Sequence, residues 1–280
     1  MKKKFLPAAL LLSLVTACSA GAPRDSAITV ISREDGSGTR SAFIELFGVR
    51  DEDKNDNTAA SAEITNNTGV MMISVAGDKN AIGYISLSAL NDTVKVLKIE
   101  GVEATANNVS NGSYRISRPF FIAAKGQPSD AAQDFINFML SADGQAVIEA
   151  NGYVRVPDNG PFTSANASGK VAVAGSSSVT PAMEKLKEAY LSINSSANIE
   201  IQQSDSSTGM TAAIDGVCDI GMASRELKDS EIEKGLVAER IALDGLAVIV
   251  NQDNAIDDLS KEEVKSVYTG AITAWSGLNS

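Results

Sequence analysis

The sequence predicts an α/β protein, and three observations carry that reading. Runs rich in β-branched residues alternate with segments of helical apolar spacing. Hydrophobic residues make up 44% of the 280, enough for a sizeable core, while aromatics are only 5%. Three times, a strand-like run empties through a serine-rich turn into a helix. The length allows one large domain or two lobes.

The chain opens on a targeting segment. Lys2, Lys3 and Lys4 form a basic start, and Phe5 to Ala17 is apolar but shorter than the roughly 20 residues a spanning helix needs. Val15-Thr16-Ala17-Cys18 resembles a bacterial lipobox, which implies a signal peptide over residues 1–17 and a lipid on the Cys18 sulfur. Residues 18–27 then read as a lipid tether. Without the signal segment the chain keeps 21 basic residues against 35 acidic ones. So acidic a chain is a poor match for nucleic acid or a bare anionic membrane surface. Cys218 is the remaining cysteine, so an internal disulfide has no partner, and it is expected to be a buried, inert thiol. With no histidine, zinc and copper sites and Ser-His or Cys-His catalysis are disfavoured, and no cofactor is expected.

Ile28 to Ile31 has the residue types of a buried strand, and it breaks at once into Arg33-Glu34-Asp35-Gly36-Ser37-Gly38-Thr39. Ala42, Phe43, Leu46 and Phe47 follow at helical spacing, which puts Ser37 to Thr39 in the first turn of a helix. Amides there have no partner within the helix and carry partial positive charge, so an anion fits. Arg33 adds a planar guanidinium fork. The loop is neither a Walker loop, since no Gly-Lys-Ser/Thr follows, nor a dinucleotide fingerprint, since the third glycine is missing.

Residues 51–57 form a solvated loop. Ile82 to Ser86 reads as a short buried strand, Val94 to Ile99 as a half-exposed one ending at Gly101, and Arg118 to Ala124 as a strand with proline near its start. Ser129 to Phe138 is an amphipathic helix capped by Ser129 or Asp130, and Asp143 to Ala150 a second helix stopped by Asn151-Gly152. Residues 158–169 are a linker without apolar period. Beyond it Val171 to Ala174 is a strand, Gly175 to Ser178 a turn, and Pro181 to Ser192 a helix with proline in its first turn. Asn198 to Gln202 alternates as a strand, and Asp205 to Gly209 precedes a helix over Met210 to Asp215. Asp219 to Arg225 is a short strand ending in a polar pair, and Ile241 to Val250 is a long apolar run. Ser260 caps a helix to Tyr268, with Glu263 at the capping-box position.

The corners at Ser37 to Thr39, Ser176 to Ser178, Ser206 to Ser207 and Ser224-Arg225 each read alone as helix or strand ends. Together they can converge on one tetrahedral anion. They also carry a resemblance. Arg33 to Thr39 is similar to the R-x-D-G-S-G-T signature of the phosphate-binding proteins that serve phosphate ABC transporters. Gly175 to Pro181, Asp205 to Gly209 and Asp219 to Arg225 resemble their three phosphate loops, and Tyr268 to Trp275 their Y-x-G-x-I-x-x-W segment.

The resemblance implies a two-lobed, periplasmic-binding-protein-like (type II) fold with phosphate clamped between the lobes. One lobe would comprise 28–117 with 246–280, the other 118–157 with 170–245, and the linker 158–169 would join the two parts of the second lobe, the lobes crossing near 118–124 and 241–250. It assigns phosphate contacts to Arg33, Ser37, Gly38 and Thr39 from one lobe, and to Ser177 or Ser178, the Val179 amide and Ser206 from the other. Asp35 would hold Arg33 in place. Where better-known members carry an aspartate that accepts a phosphate proton, this chain has Ser224-Arg225, which leaves sulfate or another oxyanion open. The order of segments differs too: the family's first phosphate loop here follows its last helix, which reads as a circular permutation or a piece of a tandem array. About 12 flexible residues span near 20 Å, enough to join neighbouring ends.

The implied role is an extracytoplasmic, lipid-anchored, monomeric receptor that binds inorganic phosphate and delivers it to the permease and ATPase subunits of an ABC transporter. A sensor or adhesion subunit with the same cleft is the alternative, and a phosphoesterase would need a metal cluster or activated nucleophile that the sequence does not offer.

Overall fold

The computed structural model describes residues 26–278. The expected signal segment and Cys18 lie outside the described residues. In chain order the elements are β1 (Thr29–Arg33), α1 (Gly38–Leu46), β2 (Glu63–Thr65), α2 (Thr68–Gly77), β3 (Ala81–Ser86), β4 (Val94–Val96), β5 (Lys98–Ile99), α3 (Ala106–Ser110) and β6 (Ser117–Lys125). They continue as α4 (Asp130–Met139), α5 (Ala142–Ala150), β7 (Gly169–Ser176), α6 (Thr180–Ile193), β8 (Ala197–Ser204), α7 (Ser206–Ile214) and β9 (Ile220–Ala223). The last are α8 (Asp229–Ile232), β10 (Leu236–Asn251), β11 (Asp258–Leu259) and α9 (Lys261–Tyr268).

The main sheet runs β2-β1-β3-β10-β6-β9-β7-β8, with β4 also on β10. Its spine is β10. Residues 236–245 pair antiparallel with β6, and residues 246–250 pair antiparallel with β3. The strand therefore belongs to both halves of the molecule. Its alternation is that of a strand buried on both faces: Leu246, Val248 and Val250 enter one core with Phe43, Tyr84 and Tyr268, while Ala247 and Ile249 enter another with Ile31, Met71 and Val75. In the other half Phe120, Val173 and Met222 pack under α4 and α6, and Ala123, Ala174 and Ala223 under Met210 and Ala213 of α7. Each half thus has a sheet covered on both faces, and the two connect where Ser117 of β6 stands opposite Gly245 of β10.

Most of the expected elements appear, and their caps are the ones the sequence offered: Ser129 accepts from the Ala132 amide, and Ser260 and Glu263 form a reciprocal capping box. Three differences have local causes. The run Val94 to Ile99 is two short strands, because Leu97 drops into the core between them while β4 follows β10 and β5 pairs with β11. The helix expected from Met210 starts at Ser206, because Asp205 accepts the Thr208 amide and caps it four residues earlier. Thr68–Gly77 is a helix capped by Asn67, and α3 and α8 were not anticipated from the sequence.

Helix α7 lies against the end of β7. A Cβ built on Gly209 would stand 2.5 Å from Gly175 Cα and 2.7 Å from Ala174 O, both backbone atoms. Alanine is the better helix former, yet here overpacking outweighs propensity. Gly209→Ala is expected to cost about 2 kcal/mol in stability by urea unfolding. A variant as stable as the parent would show that α7 can slide.

Candidate functional site

Four loops meet at the junction of the halves, and a stack of aromatic rings sets the first. Phe43 of α1 stacks on Tyr84 of β3 with centroids 3.9 Å apart, and Tyr268 of α9 closes the group. The Tyr84 hydroxyl accepts the Arg33 amide at 3.1 Å and bonds the Ser32 hydroxyl at 2.8 Å. Burial pushes this phenol up to about 12, so it stays protonated. Arg33 is thereby delivered, with 2% exposure, to the end of β1. After Gly36, whose φ of +85° makes the turn, Ser37 caps α1 and accepts the Arg40 amide.

The loops of the other half lie directly across. Arg33 Nη2 donates to Ser177 Oγ at 3.1 Å. Thr39 Oγ1 and Ser178 Oγ are 2.8 Å apart, and Thr68 Oγ1 lies 3.3 Å from the same Ser178 hydroxyl. The Ser207 amide donates to Gly36 O at 3.2 Å. Gly38 faces the hydroxyls of Ser206 and Ser224 so closely that an added Cβ would fall 2.6 Å from Ser224 Oγ. Ser206 Oγ accepts the Ser224 amide at 3.1 Å, and Ser176 Oγ donates to Ser224 Oγ at 3.0 Å. Ser37, Thr39, Ser177, Ser178, Ser206 and Ser224 are all buried. The result is a seam of hydroxyls, two glycines and one guanidinium shared by both halves.

Two of the expected roles need correction. Asp35 does not hold Arg33: its side chain is 97% exposed and pairs with Arg40 at 2.9 Å, because the turn at Gly36 points it outward. Glu34 takes that place, gripping Arg33 through two 2.7 Å bonds. The Val179 amide is not free for a ligand, since it donates to Ser176 O at 3.0 Å. Arg225 is buried beside the seam, held by two bonds to Glu231 at 2.7 and 2.9 Å, and its Nη2 donates to Ser207 Oγ at 3.2 Å. Its charge is therefore matched by a carboxylate.

Glu34 and Thr68 were missed by sequence reasoning, while Ser176 and Ser207 belong to corners the sequence already placed at the convergence. Thr68-Gly69 after Asn66-Asn67 repeats the polar-turn-then-helix pattern and could have been found by it. Glu34 carries no such signal. Cys218 is buried, and burial pushes its thiol up to about 11, which keeps it an unreactive thiol at neutral pH. Among the described residues no cluster of three or more histidine, cysteine or carboxylate side chains could hold a metal ion.

Beneath the seam, at the junction of the halves, Asp244 of β10 faces Arg118 of β6 at 3.3 Å and accepts from Ser86 Oγ at 2.9 Å. Both members are about 1% exposed.

The chain matches the model of the PBP superfamily domain over residues 12–143 and 160–279. It is 51% identical over 275 residues to the Phosphate-binding protein PstS 2 of Streptococcus agalactiae, covering 96% of this chain and 94% of that one. It is 46% identical to the Phosphate-binding protein PstS 2 of Streptococcus pneumoniae over 252 residues, 89% of this chain and 86% of that one. The crystal structure of a phosphate-binding protein of a phosphate ABC transporter from Streptococcus pneumoniae superposes with a TM-score of 0.71 at 44% identity, over 91% of this chain and all of the other.

Two predictions test the junction. Gly38→Ala should prop the seam open, because neither Ser206 nor Ser224 can retreat without losing a buried bond; small-angle scattering should give a larger radius of gyration than the parent, and an identical curve would show that the seam yields. Burial lifts the Asp244 carboxyl to about 6 from its ordinary 3.8, although Arg118 and Ser86 pull it down. A group with a higher pKa folded than unfolded favours the folded state below about pH 4 and loses that contribution as pH rises through about 6. The melting temperature of the parent should therefore fall relative to Asp244→Asn between pH 4 and 7, and parallel profiles would contradict the shift.

Proposed function

The chain belongs to the PBP superfamily and to its phosphate-binding proteins, and from that premise we propose that it captures inorganic phosphate in the seam between its halves and hands it to the permease of an ABC transporter. The observation that carries the reading is the convergence of Arg33 with Ser177, Thr39 with Ser178, and Gly38 with Ser206 and Ser224, from four separate loops. Such a set is rich in neutral donors and holds one guanidinium with a planar fork. That chemistry suits a tetrahedral oxyanion whose several oxygens are each met by a donor once water is excluded.

The proposed ligand contacts are Arg33, Ser37, Gly38, Thr39, Ser177, Ser178, Ser206 and Ser224. Ser224 takes the place of the family's aspartate, and its hydroxyl oxygen can accept a hydrogen bond as well as donate one. The role is one of binding, not catalysis. The full-length likeness to chains named phosphate-binding proteins, and to the phosphate-binding protein of a phosphate ABC transporter, supports transport over a sensor or adhesion role. Anchoring through a lipid on Cys18 belongs to the same proposal. Among the described residues no helix is long and apolar enough to cross a membrane.

We read the order of segments as a circular permutation with lobes over 28–117 with 246–280 and over 118–157 with 170–245. Two observations support it. Residues 26–28 and 273–275 lie side by side, with the Ile28 amide on Thr273 O at 2.8 Å and a bridge between Ala27 and Ala274, as expected where a parent strand was opened. The Streptococcus agalactiae relative aligns over nearly its whole length, so it carries the segments in the same order.

Calorimetric titration with orthophosphate tests the reading. Saturable binding at micromolar concentrations is expected; no heat and no thermal stabilisation would count against it. Arg33→Ala should weaken binding about thirty-fold, roughly 2 kcal/mol, by removing a charged forked donor from a desolvated site. An unchanged dissociation constant would place the ligand elsewhere.

A further inference from the structure

Two helices begin at the edge of the sheet where β1 ends, one on each face. Val30 packs with Phe43 of α1, whereas Ile31 packs with Met71 and Val75 of α2, since neighbouring residues of a strand point to opposite faces. β1 lies between β2 and β3 and runs parallel to both. The chain therefore leaves the ends of β1 and β2 into opposite layers, and the space between the two helix starts is a switch point of the kind at which open α/β sheets hold ligands. The start of α1 supplies one wall of that space with Ser37, Gly38 and Thr39. The start of α2 supplies the other.

β2 ends at Thr65, level with Arg33 of β1. The two strands are stitched there by the Glu34 amide on Thr65 O at 3.0 Å and by Thr65 Oγ1 on Ser32 O at 3.2 Å. Two residues on, Asn67 accepts the Val70 amide at 2.9 Å and caps α2, which makes Thr68 its first residue. That position puts Thr68 in the seam: it is 6% exposed, and its Oγ1 lies 3.3 Å from Ser178 Oγ in the opposite half.

The protons at this point do not balance. Thr39, Thr68 and Ser178 bring three hydroxyl protons together, and among the described residues their hydroxyls make two bonds, Thr39 with Ser178 and Thr68 with Ser178. Each bond consumes one proton. One buried O–H is left without an acceptor, and no carboxylate bonds to any of the three. A buried donor in that state is costly, so the cluster favours a group that only accepts, which an anionic oxygen does. The first turn of α2 adds to the preference, because it holds no acidic residue and presents the positive end of its peptide dipoles.

We propose that Thr68 is a further ligand-contacting residue of the seam, donating its hydroxyl to the phosphate oxygen that Thr39 and Ser178 also meet. One oxygen is then held by both helix starts of the half that bears Arg33 and by the loop of the other half. The assignment rests on the function proposed above and adds a fifth corner to the four loops.

The test is calorimetric titration of the full chain with orthophosphate, for the parent, Thr68→Val, Thr68→Ser, Ser178→Ala and the double variant Thr68→Val, Ser178→Ala. Valine keeps the shape of threonine without its hydroxyl, and the cap of α2 comes from Asn67, so the helix start does not depend on the exchange. Thr68→Val should weaken orthophosphate about tenfold, the effect of one hydrogen bond to a charged group, while Thr68→Ser should stay within about twofold of the parent. The loss should persist in the Ser178→Ala background, because a direct contact does not act through Ser178. A loss that vanishes there reduces Thr68 to a support for Ser178 and overturns the contact. So does a Thr68→Ser chain that binds no better than Thr68→Val. Should Ser178→Ala bind too weakly to titrate, the single variants at Thr68 decide. A parent that binds orthophosphate with no loss in Thr68→Val keeps the seam as the phosphate site and removes Thr68 from it, whereas a parent that binds none overturns both.

Discussion

A buried polar seam is the constraint on which the rest of this structure depends. Hydroxyls and amides taken out of water must find partners, and here those partners lie on the opposite half of the molecule: Thr39 with Ser178, Arg33 with Ser177, Ser207 with Gly36. Each half alone would leave these groups facing solvent. Much of the remaining architecture keeps the two sets in register. The Phe43, Tyr84 and Tyr268 stack fixes the end of β1, α7 is pressed onto β7 through Gly209, and Asp205 caps α7 so that Ser206 is its first residue.

Charge at the junction is handled by local neutralisation. Arg33 is matched by Glu34, Arg225 by Glu231 and Arg118 by Asp244. The first two pairs are each joined by two short bonds, and the third by one longer contact. The ranking matches what is left unsatisfied among the described residues: Arg225 keeps one buried nitrogen, Nε, without a partner, and Arg118 keeps two, Nε and Nη1. It also explains how an acidic chain can favour an anion: the distant field is repulsive, but a few desolvated donors at short range outweigh it.

Much of this was legible in the sequence, because strand, serine-rich turn and helix recur with their caps written beside them. Ser37, Ser129 and Ser260 cap the helices they precede, and the loops at Arg33 to Thr39, Ser176 to Ser178 and Ser206 converge as their likeness to one another implied. What failed to show was of two kinds. Pairing by geometry is invisible to composition, so the choice of Glu34 over Asp35 as the partner of Arg33 depended on which way the turn at Gly36 faces. Short elements such as α3 and β11 have too few residues for a period, and their existence follows from Val109 and Leu259 packing into a core built by distant strands.

The crossing strand has a consequence for biosynthesis. One half is assembled largely from continuous chain between residues 117 and 245, whereas the other needs β10, β11 and α9, which lie beyond that stretch in the chain, to complete sheets begun by β1 and β3. During synthesis the portion bearing α1 and β3 must therefore wait, with their apolar faces uncovered, until residues 246–268 arrive. The half built from residues 117–245 can close first, and the half begun by β1 finishes after it.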